Sequence, residues 1–297
     1  MFSRPAALLA TGLVVLGLVV AAVWYFVPWP SPEPEYTGSK TIRYSFTIRN
    51  EQGSVADDGV LRVYGPVRAT SHQRLRKVES DADFEKHRDP EGNQVLEFPL
   101  AGLAPFEQRI ISVRMQLDTA IESQPMELDD PDRFLADELH VETSHPELLS
   151  HAGLFEQEDG RETARAIYEW VRRHLSRSEY MPEDRGALWA LRNGRGDCSQ
   201  HMYLFMALAR LHEIPARGVG GFVVSDGSRS VHPTEYHNWA EVYLDGAWHV
   251  VDPDEGRFMT RQDDYVAMRM IRPPEESLLG AAHRYVYEGD GISVSME

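Results

Sequence analysis

The stretch that decides the fold reads CSQHMYLFMALARLH and spans residues 198–212. It is apolar on nearly every side of the helix that it predicts, and a helix of this kind in a globular protein is buried at the centre. The preceding tetrapeptide GRGD, which ends at Asp197, suits the start of such a helix. Apolar residues at helical spacing predict a second, amphipathic helix over 161–175.

Three apolar, strand-like runs follow the predicted central helix, at 217–224, 237–244 and 247–252. Asp245-Gly246 separates the last two runs, and this dipeptide is typical of a two-residue β-hairpin. The sequence therefore predicts an α+β domain in which a buried helix packs on an antiparallel sheet.

Cys198 is the only cysteine of the chain, and the prediction places it in the first helical turn. The helix dipole and the free N–H groups there favour the thiolate, which is the nucleophilic form. The same N–H groups can stabilise the oxyanion of a tetrahedral intermediate. A lone cysteine in an apolar setting is most often structural, so the residues around it decide whether it is structural or catalytic. One cysteine also excludes an internal disulfide and any multi-cysteine metal site.

His237 and Asp252 lie on the two strands of the predicted hairpin. With a two-residue loop, Leu244 pairs with Ala247, Trp239 faces Asp252, and His237 lies two residues further along the same face. Diagonal neighbours of this kind are about 7–8 Å apart at the backbone, so the carboxylate can orient the imidazole. A strand histidine by itself is more often structural. Together with a thiol at a helix start, the pair predicts a Cys-His-Asp triad.

Four motifs carry a resemblance to a known family: Gly196-Asp197-Cys198, Ile214-Pro215-Ala216-Arg217, His237-Asn238-Trp239 and Asp252-Pro253. In this order they resemble the core of the transglutaminase-like superfamily of papain-fold proteins, over roughly 160–256. The resemblance implies a papain-like fold in which Cys198 is the nucleophile, His237 the base and Asp252 the orienting residue. It also implies a β-domain before the core, as in bacterial relatives.

Outside the triad the resemblance is less specific. Many relatives use an aromatic side chain upstream of the cysteine as a second oxyanion donor; Tyr180 is the first candidate here and Trp189 the second, although both can equally be core aromatics. The animal relatives need calcium, but the acidic residues of this region lack an ordered ligand spacing, and we interpret them as a solvated face. They are Asp254, Glu255, Asp263 and Asp264. We expect no metal and no cofactor.

Residues 41–125 predict a separate, all-β, sandwich-like domain. Polar and apolar residues alternate over 41–49 and 111–117, as in half-buried strands, and two further strand-like runs lie at 60–64 and 94–98. Nothing in this domain suggests chemistry, so we interpret it as a spacer or binding module. The net charge is -1 over 36–125 and -15 over 126–297, which supports a boundary near residue 125 and a catalytic domain over 126–297.

The N-terminus predicts a membrane anchor over residues 1–27. The run from Ala6 to Val27 has 22 residues without a charge, enough for a helix to cross a hydrocarbon core of about 30 Å. Arg4 precedes it, which places the N-terminus in the cytoplasm and the rest of the chain outside. A cleaved signal peptide is the alternative. Prolines at alternate positions then predict an extended, semi-rigid spacer over 28–40.

The net charge of -17 makes nucleic acid an unfavourable partner, because such a surface repels phosphates. We expect a single-pass membrane protein whose body lies in the periplasm or at the cell surface. Its expected partners are a peptide or protein substrate, the membrane, and envelope proteins bound through the β-domain. The expected activity is thioester-mediated acyl transfer on peptide or protein amides. A peptidase or amidase of the same fold is one alternative, and a non-catalytic, membrane-tethered scaffold is another.

Overall fold

The helix predicted at the centre of the fold runs from Cys198 to Leu211 and is buried along most of its length. This and all other features are taken from a computed structural model, which describes residues 34–181, 183 and 185–297. Within those residues the helices are α1 Pro146–Ala152, α2 Gly160–His174, α3 Ala187–Asn193 and α4 Cys198–Leu211. The predictions at 161–175 and 198–212 agree with α2 and α4, whereas α1 and α3 are too short to show a clear period.

The strands of the described residues belong to four sheets. They are β1 Gly38–Asn50, β2 Val60–Gly65, β3 Gln73–Ser80, β4 Glu85–Arg88, β5 Gln94–Pro99, β6 Gln108–Thr119, β7 Ser176–Arg177, β8 Arg195–Gly196, β9 Ala216–Val223, β10 Ser228–Ser230, β11 Tyr236–Leu244, β12 Ala247–Asp252, β13 Arg257–Phe258, β14 Tyr265–Met270, β15 Tyr285–Glu288 and β16 Ile292–Met296. The molecule is thus a mixed α+β fold with more sheet than helix.

The helix α4 packs on a five-stranded sheet of order β13-β12-β11-β9-β14. The apolar side chains of α4 and those of α2 and α3 form one core with the inner faces of β9, β11 and β12. An isolated helix as apolar as α4 would expose its whole surface to water, so burial from several sides is what stabilises it. This packing fixes the start of α4 against the start of β11 and the end of β12.

The β11–β12 hairpin has the register expected from its loop. Leu244 pairs with Ala247, and the two loop residues have positive φ, 54° at Asp245 and 81° at Gly246. A turn with two positive φ values matches the right-handed twist of the strands, which is why Asp-Gly favours it. The same register brings His237 and Asp252 to one face.

Two further sheets contain the strands predicted within 41–125. One has the order β10-β1-β6-β3 with β16 also paired to β1, and the other has the order β15-β2-β5-β4. Alternate residues of β1 and β6 point inward and share a core with residues of β2 and β5. Alternation of period two is therefore sufficient to find these strands, because one face of each is buried.

Strands from the C-terminal part of the chain complete both of these sheets. The strand β16 pairs with β1 over Phe46–Asn50, and β15 pairs with β2. Residues 35–297 form one compact unit. The predicted division of the chain into 41–125 and 126–297 stays a prediction, and the sheets of the first part use strands of the second.

Among the helices of the described residues, none combines the length and the hydropathy needed to cross a membrane. The predicted anchor, 1–27, and residues 28–33 of the predicted spacer lie outside the described residues.

Candidate active site

Cys198 is the first residue of α4, and its position is fixed by the cap of that helix. The Asp197 carboxylate accepts hydrogen bonds from the backbone N–H of Ser199 (2.9 Å) and of Met181 (3.0 Å). The Gln200 side chain returns to the backbone N–H of Asp197 (3.0 Å), which completes a capping box. Because these bonds satisfy the free N–H groups around it, the thiol of Cys198 is held at the helix start, where it is partly exposed.

The His237 imidazole is hydrogen bonded to the Asp252 carboxylate, with 2.7 Å between Nε2 and Oδ2. Asp252 is buried, and its two oxygens have further donors: the Tyr265 hydroxyl (2.8 Å) and the backbone N–H of Glu255 (3.1 Å). A buried carboxylate with all these donors is fully compensated, so it can hold the imidazole in one orientation. The Cys198 thiol also interacts with the imidazole and helps to raise its pKa.

Electrostatics favour the charged forms of this histidine and its carboxylate. Burial alone would lower the pKa of His237, but its hydrogen bonds with Asp252 and Cys198 outweigh burial and raise that pKa well above its usual value. Burial would raise the pKa of Asp252, but the hydrogen bond and the charge of His237 leave it lowered. At neutral pH the imidazole is therefore protonated beside the ionised Asp252 carboxylate.

A cleft of about 410 Å³ opens in front of these residues. It contains both Cys198 and His237, so a substrate group in the cleft can reach the sulfur and the imidazole together. Its wall carries more polar than apolar side chains. The lining residues are Arg177, Ser178, Tyr180, Asp197, Cys198, Ser199, Pro233, Thr234, Tyr236, His237, Asn238, Asp254, His283 and Arg284.

The part of the chain that contains this site matches a known protein family. Residues 152–253 match the transglutaminase-like superfamily, and the match includes Cys198, His237 and Asp252. Over this segment the chain is similar to that superfamily. No curated protein sequence matches the chain.

One solved structure resembles most of this chain's fold. A candidate cysteine protease from Cytophaga hutchinsonii has 16% sequence identity and a TM-score of 0.56, and the match covers 87% of this chain and 92% of that one. The periplasmic domain of TgpA from Pseudomonas aeruginosa, solved with ethylmercury, has 14% identity and a TM-score of 0.39 over 73% of this chain and 90% of that one. At such identities the likeness to the first structure concerns the fold alone.

The predicted aromatic neighbours of the triad lie in three different settings. Tyr180 is at the rim of the cleft with 75% of its surface exposed, and its role as oxyanion donor stays a prediction. Trp189 is in α3, outside the cleft lining, with the guanidinium of Arg185 over its ring. Trp239 is buried, with its ring stacked 6.3 Å from that of His237 and edge-on to Tyr265. It therefore supports the imidazole from behind.

The interpretation of the acidic residues beyond Asp252 as a solvated face is wrong for two of the four. Asp264 is buried and forms ion pairs with Arg261 (2.9 Å), Arg257 (3.1 Å) and Lys40 (3.4 Å). The side chain of Asp254 is 2% exposed and lies in the cleft wall. Arg257 and Arg261 are close to Asp264 in the sequence, so they could have indicated these ion pairs. Lys40 of β1 is distant in the sequence, so no local pattern indicates its contact with Asp264.

Sequence reasoning missed three residues of the site. Tyr236 and Asn238 line the cleft on either side of His237 in β11, and strand alternation alone could have indicated that both share a face. Tyr265, which donates to Asp252, gives no such signal. It reaches the carboxylate only because β14 pairs with β9, on the far side of the sheet from β12.

One group of side chains in the described residues has the composition of a metal site. The ligand atoms of Glu85, His87 and Glu97 lie within 4.8 Å of one another, on β4 and β5. Glu97 already forms a 2.6 Å ion pair with Arg62, which competes with a cation for the same carboxylate. None of the three lines the cleft of the transglutaminase-like core.

Proposed function

We propose that this protein is a cysteine-dependent enzyme that transfers the acyl group of a peptide or protein amide through a thioester on Cys198. The single observation that carries the proposal is the 2.7 Å hydrogen bond between His237 and the buried Asp252, in the same cleft as Cys198 at the start of α4. A protein that only binds has no need to orient a charged imidazole against a thiol.

In the proposed reaction the Cys198 sulfur attacks the carbonyl carbon of the amide. The C–N bond breaks, His237 gives a proton to the leaving amine, and the acyl group remains as a thioester. A primary amine or water then attacks the thioester, His237 takes the proton of the nucleophile, and the thiol is restored. Asp252 holds the imidazole in place through both steps. The backbone N–H of Cys198, at the start of α4, is the donor that we propose for the developing oxyanion.

Two outcomes of the second step define the main proposal and its alternative. An amine acceptor gives a cross-link or an amine-modified protein, as in transglutaminase-like transfer. Water gives hydrolysis, as in a peptidase or amidase. The cleft is open and its surface is about equally polar and apolar, so it gives water no barrier of the kind that favours transfer. The net charge of -15 over 126–297 supports transfer, because it attracts lysine-bearing acceptors.

We also propose that the enzyme acts outside the cytoplasm, on the membrane that anchors it. The uncharged run of 22 residues and the alternating prolines after it support this location. Envelope peptides and proteins are then the accessible substrates. Cell fractionation, followed by protease treatment of intact spheroplasts, tests it: the body should remain with membranes and be digested from outside.

The test of function is mass spectrometry of a glutamine-containing peptide incubated with cadaverine and the full chain. Attachment of cadaverine with loss of ammonia shows transfer. Deamidation or backbone cleavage of the peptide shows hydrolysis. Replacing Cys198 by Ala should lower the rate by about 10³-fold or more, since covalent catalysis is then impossible. Thermal unfolding of the same variant provides the control for folding. If Cys198→Ala restores the phenotype of a deletion strain, the protein acts as a scaffold and the enzymatic proposal is wrong.

A further inference from the structure

The charges that a substrate can reach in the cleft are positive, although the chain as a whole is strongly acidic. Two carboxylates line the cleft, and both are buried: Asp197 caps α4, and Asp254 lies in the wall. Two guanidiniums also line the cleft, and both are accessible: Arg177 is exposed and Arg284 is half-buried. A substrate in the cleft therefore meets these cations, whereas the acids are covered.

The two guanidiniums differ in how far their charge is already neutralised. Arg177 forms ion pairs with Glu255 (3.1 Å) and Asp254 (3.4 Å). Arg284 forms no ion pair with a described residue, and its one hydrogen bond there runs from Nη1 to the backbone carbonyl of Pro233 (3.0 Å). An arginine in a cleft wall without an acidic partner is suited to bind an anion.

The remaining donors of Arg284 are open to a ligand. Nε and Nη2 have no hydrogen-bond partner among the described residues, and neither is one of the unpartnered atoms that are closed off from solvent. These two nitrogens lie on one edge of the planar guanidinium. They can therefore donate side by side to the two oxygens of a carboxylate, which is the geometry that arginine prefers for this group.

The position of Arg284 is fixed by strands outside the segment that matches the transglutaminase-like superfamily. Its backbone carbonyl accepts from the N–H of Tyr64 (2.9 Å) in β2, directly before β15 begins to pair with that strand. Its guanidinium lies 5.7 Å from the ring centre of Tyr236, the residue before His237 in β11. The β2–β15 pair thus places a cation beside the strand that carries the proposed general base.

We propose that Arg284 binds a carboxylate of the amide-bearing substrate, so that the enzyme prefers acidic peptides. The carboxylate belongs to an acidic side chain or to a peptide C-terminus near the amide that Cys198 attacks, and either source presents the same two oxygens to the Nε–Nη2 edge. The preference concerns the acyl donor and not the amine that later accepts the acyl group. This inference rests on the proposed function of Cys198.

The experiment measures the rates at which three iodoacetyl dipeptides alkylate Cys198 in the full chain. Iodoacetyl-Gln-Ala amide has no charge, iodoacetyl-Glu-Ala amide has a side-chain carboxylate, and iodoacetyl-Gln-Ala has a terminal carboxylate. In each case the sulfur displaces iodide. The ratio of an anionic rate to the neutral rate therefore measures recognition of the carboxylate separately from the reactivity of the thiol, and it requires no turnover.

The variant is Arg284→Gln, and the matched control is Arg109→Gln. Arg109 is in β6 and does not line the cleft, so the control removes the same charge from another part of the molecule. We expect one anionic reagent to react with the wild type about tenfold faster than the neutral reagent. The net charge of -17 would by itself have the opposite effect. The reagent that is preferred identifies the source of the carboxylate.

The preference should disappear in Arg284→Gln and persist in Arg109→Gln. It should also weaken as salt is added, because ions screen the charge of the guanidinium. Arg284→Lys should keep part of the preference, since lysine retains the charge but not the planar fork. Thermal unfolding of each variant provides the control for folding. If Arg284→Gln is unfolded at the assay temperature, a reduced ratio in a folded Arg284→Lys supports the site, and the wild-type ratio there rejects it.

Other results overturn the proposal in distinguishable ways. Equal rates for the three reagents in the wild type, or an undiminished preference in Arg284→Gln, reject the carboxylate site and leave the role of Cys198 intact. An equal loss of preference in Arg109→Gln means that overall charge is responsible, and this also rejects the site. If wild-type Cys198 reacts with the neutral reagent no faster than a free thiol, the proposed nucleophile fails. A preference that still depends on Arg284 then supports the anion site alone.

Discussion

At the scale of single residues, the site depends on one buried carboxylate. Asp252 accepts from His237, from Tyr265 and from a backbone N–H, and it raises the pKa of the imidazole that faces Cys198. Protonation of His237 stabilises the folded state fully below the unfolded pKa of about 6.5. That contribution is lost as the pH rises through the higher folded pKa, where a buried carboxylate is left without its cation.

Replacing Asp252 by Asn should therefore lower the pKa of His237, as followed by NMR titration of the imidazole. The stability of the wild type relative to Asp252→Asn should decrease as the pH rises through the folded pKa of His237. Urea unfolding at a series of pH values measures this difference. An imidazole pKa that is unchanged in Asp252→Asn would contradict the pairing.

At the scale of elements, β9 is the strand whose composition is dictated by its neighbours. A Cβ on Gly221 would collide with the Val266 carbonyl oxygen of β14 and would lie 3.0 Å from the Trp239 ring. Backbone and a buried indole cannot move aside as a surface side chain can. The glycine is thus required by close approach of two strands and a ring.

Gly221→Ala should lower the free energy of unfolding by about 1–3 kcal/mol, the usual cost of overpacking. Gly153→Ala is the matched control, because its Cβ would meet nothing within 4 Å and its φ is -58°. Chemical denaturation of both variants measures the two costs. Equal costs would show that β9 and β14 separate more easily than their contacts indicate.

Several secondary-structure elements and the contacts between them could be predicted from the sequence. The hairpin and α4 were predictable because an Asp-Gly turn and a fully apolar helix are local signals, and the register of the hairpin then brings His237 near Asp252. Strands such as β4 and β15 have exposed or half-buried faces, so they lack the alternation that marks β1. The contacts of Tyr265 and Lys40 depend on which distant strands become neighbours, and no local pattern records that.

At the scale of the whole molecule, the C-terminal strands couple the sheets of the first half to the rest. Ile292 of β16 is buried in the core that β1, β2, β5 and β6 share. Ile292→Ala should therefore lower the free energy of unfolding by about 2–5 kcal/mol, whereas Val55→Ala, at a side chain 53% exposed, should have little effect.

The stability lost in Ile292→Ala should appear as a shift of one unfolding transition. The tryptophans of the described residues, at 170, 189, 239 and 248, all lie outside the 41–125 sheets, so their fluorescence reports on the transglutaminase-like core. Far-ultraviolet circular dichroism reports on every strand. Coincident curves from both probes in Ile292→Ala indicate a single cooperative unit. Two separate transitions would instead show that 41–125 unfolds independently.

The pairing of β1 with β16 also orders events during biosynthesis. Residues 46–50 are translated more than 240 positions before their partners at 292–296, so a nascent chain holds one side of β1 open until residue 292 has been translated. An open strand edge invites pairing with other chains. Messages truncated before codon 292 should therefore yield products that aggregate or are degraded, and the demand for chaperones should last until β16 has been made.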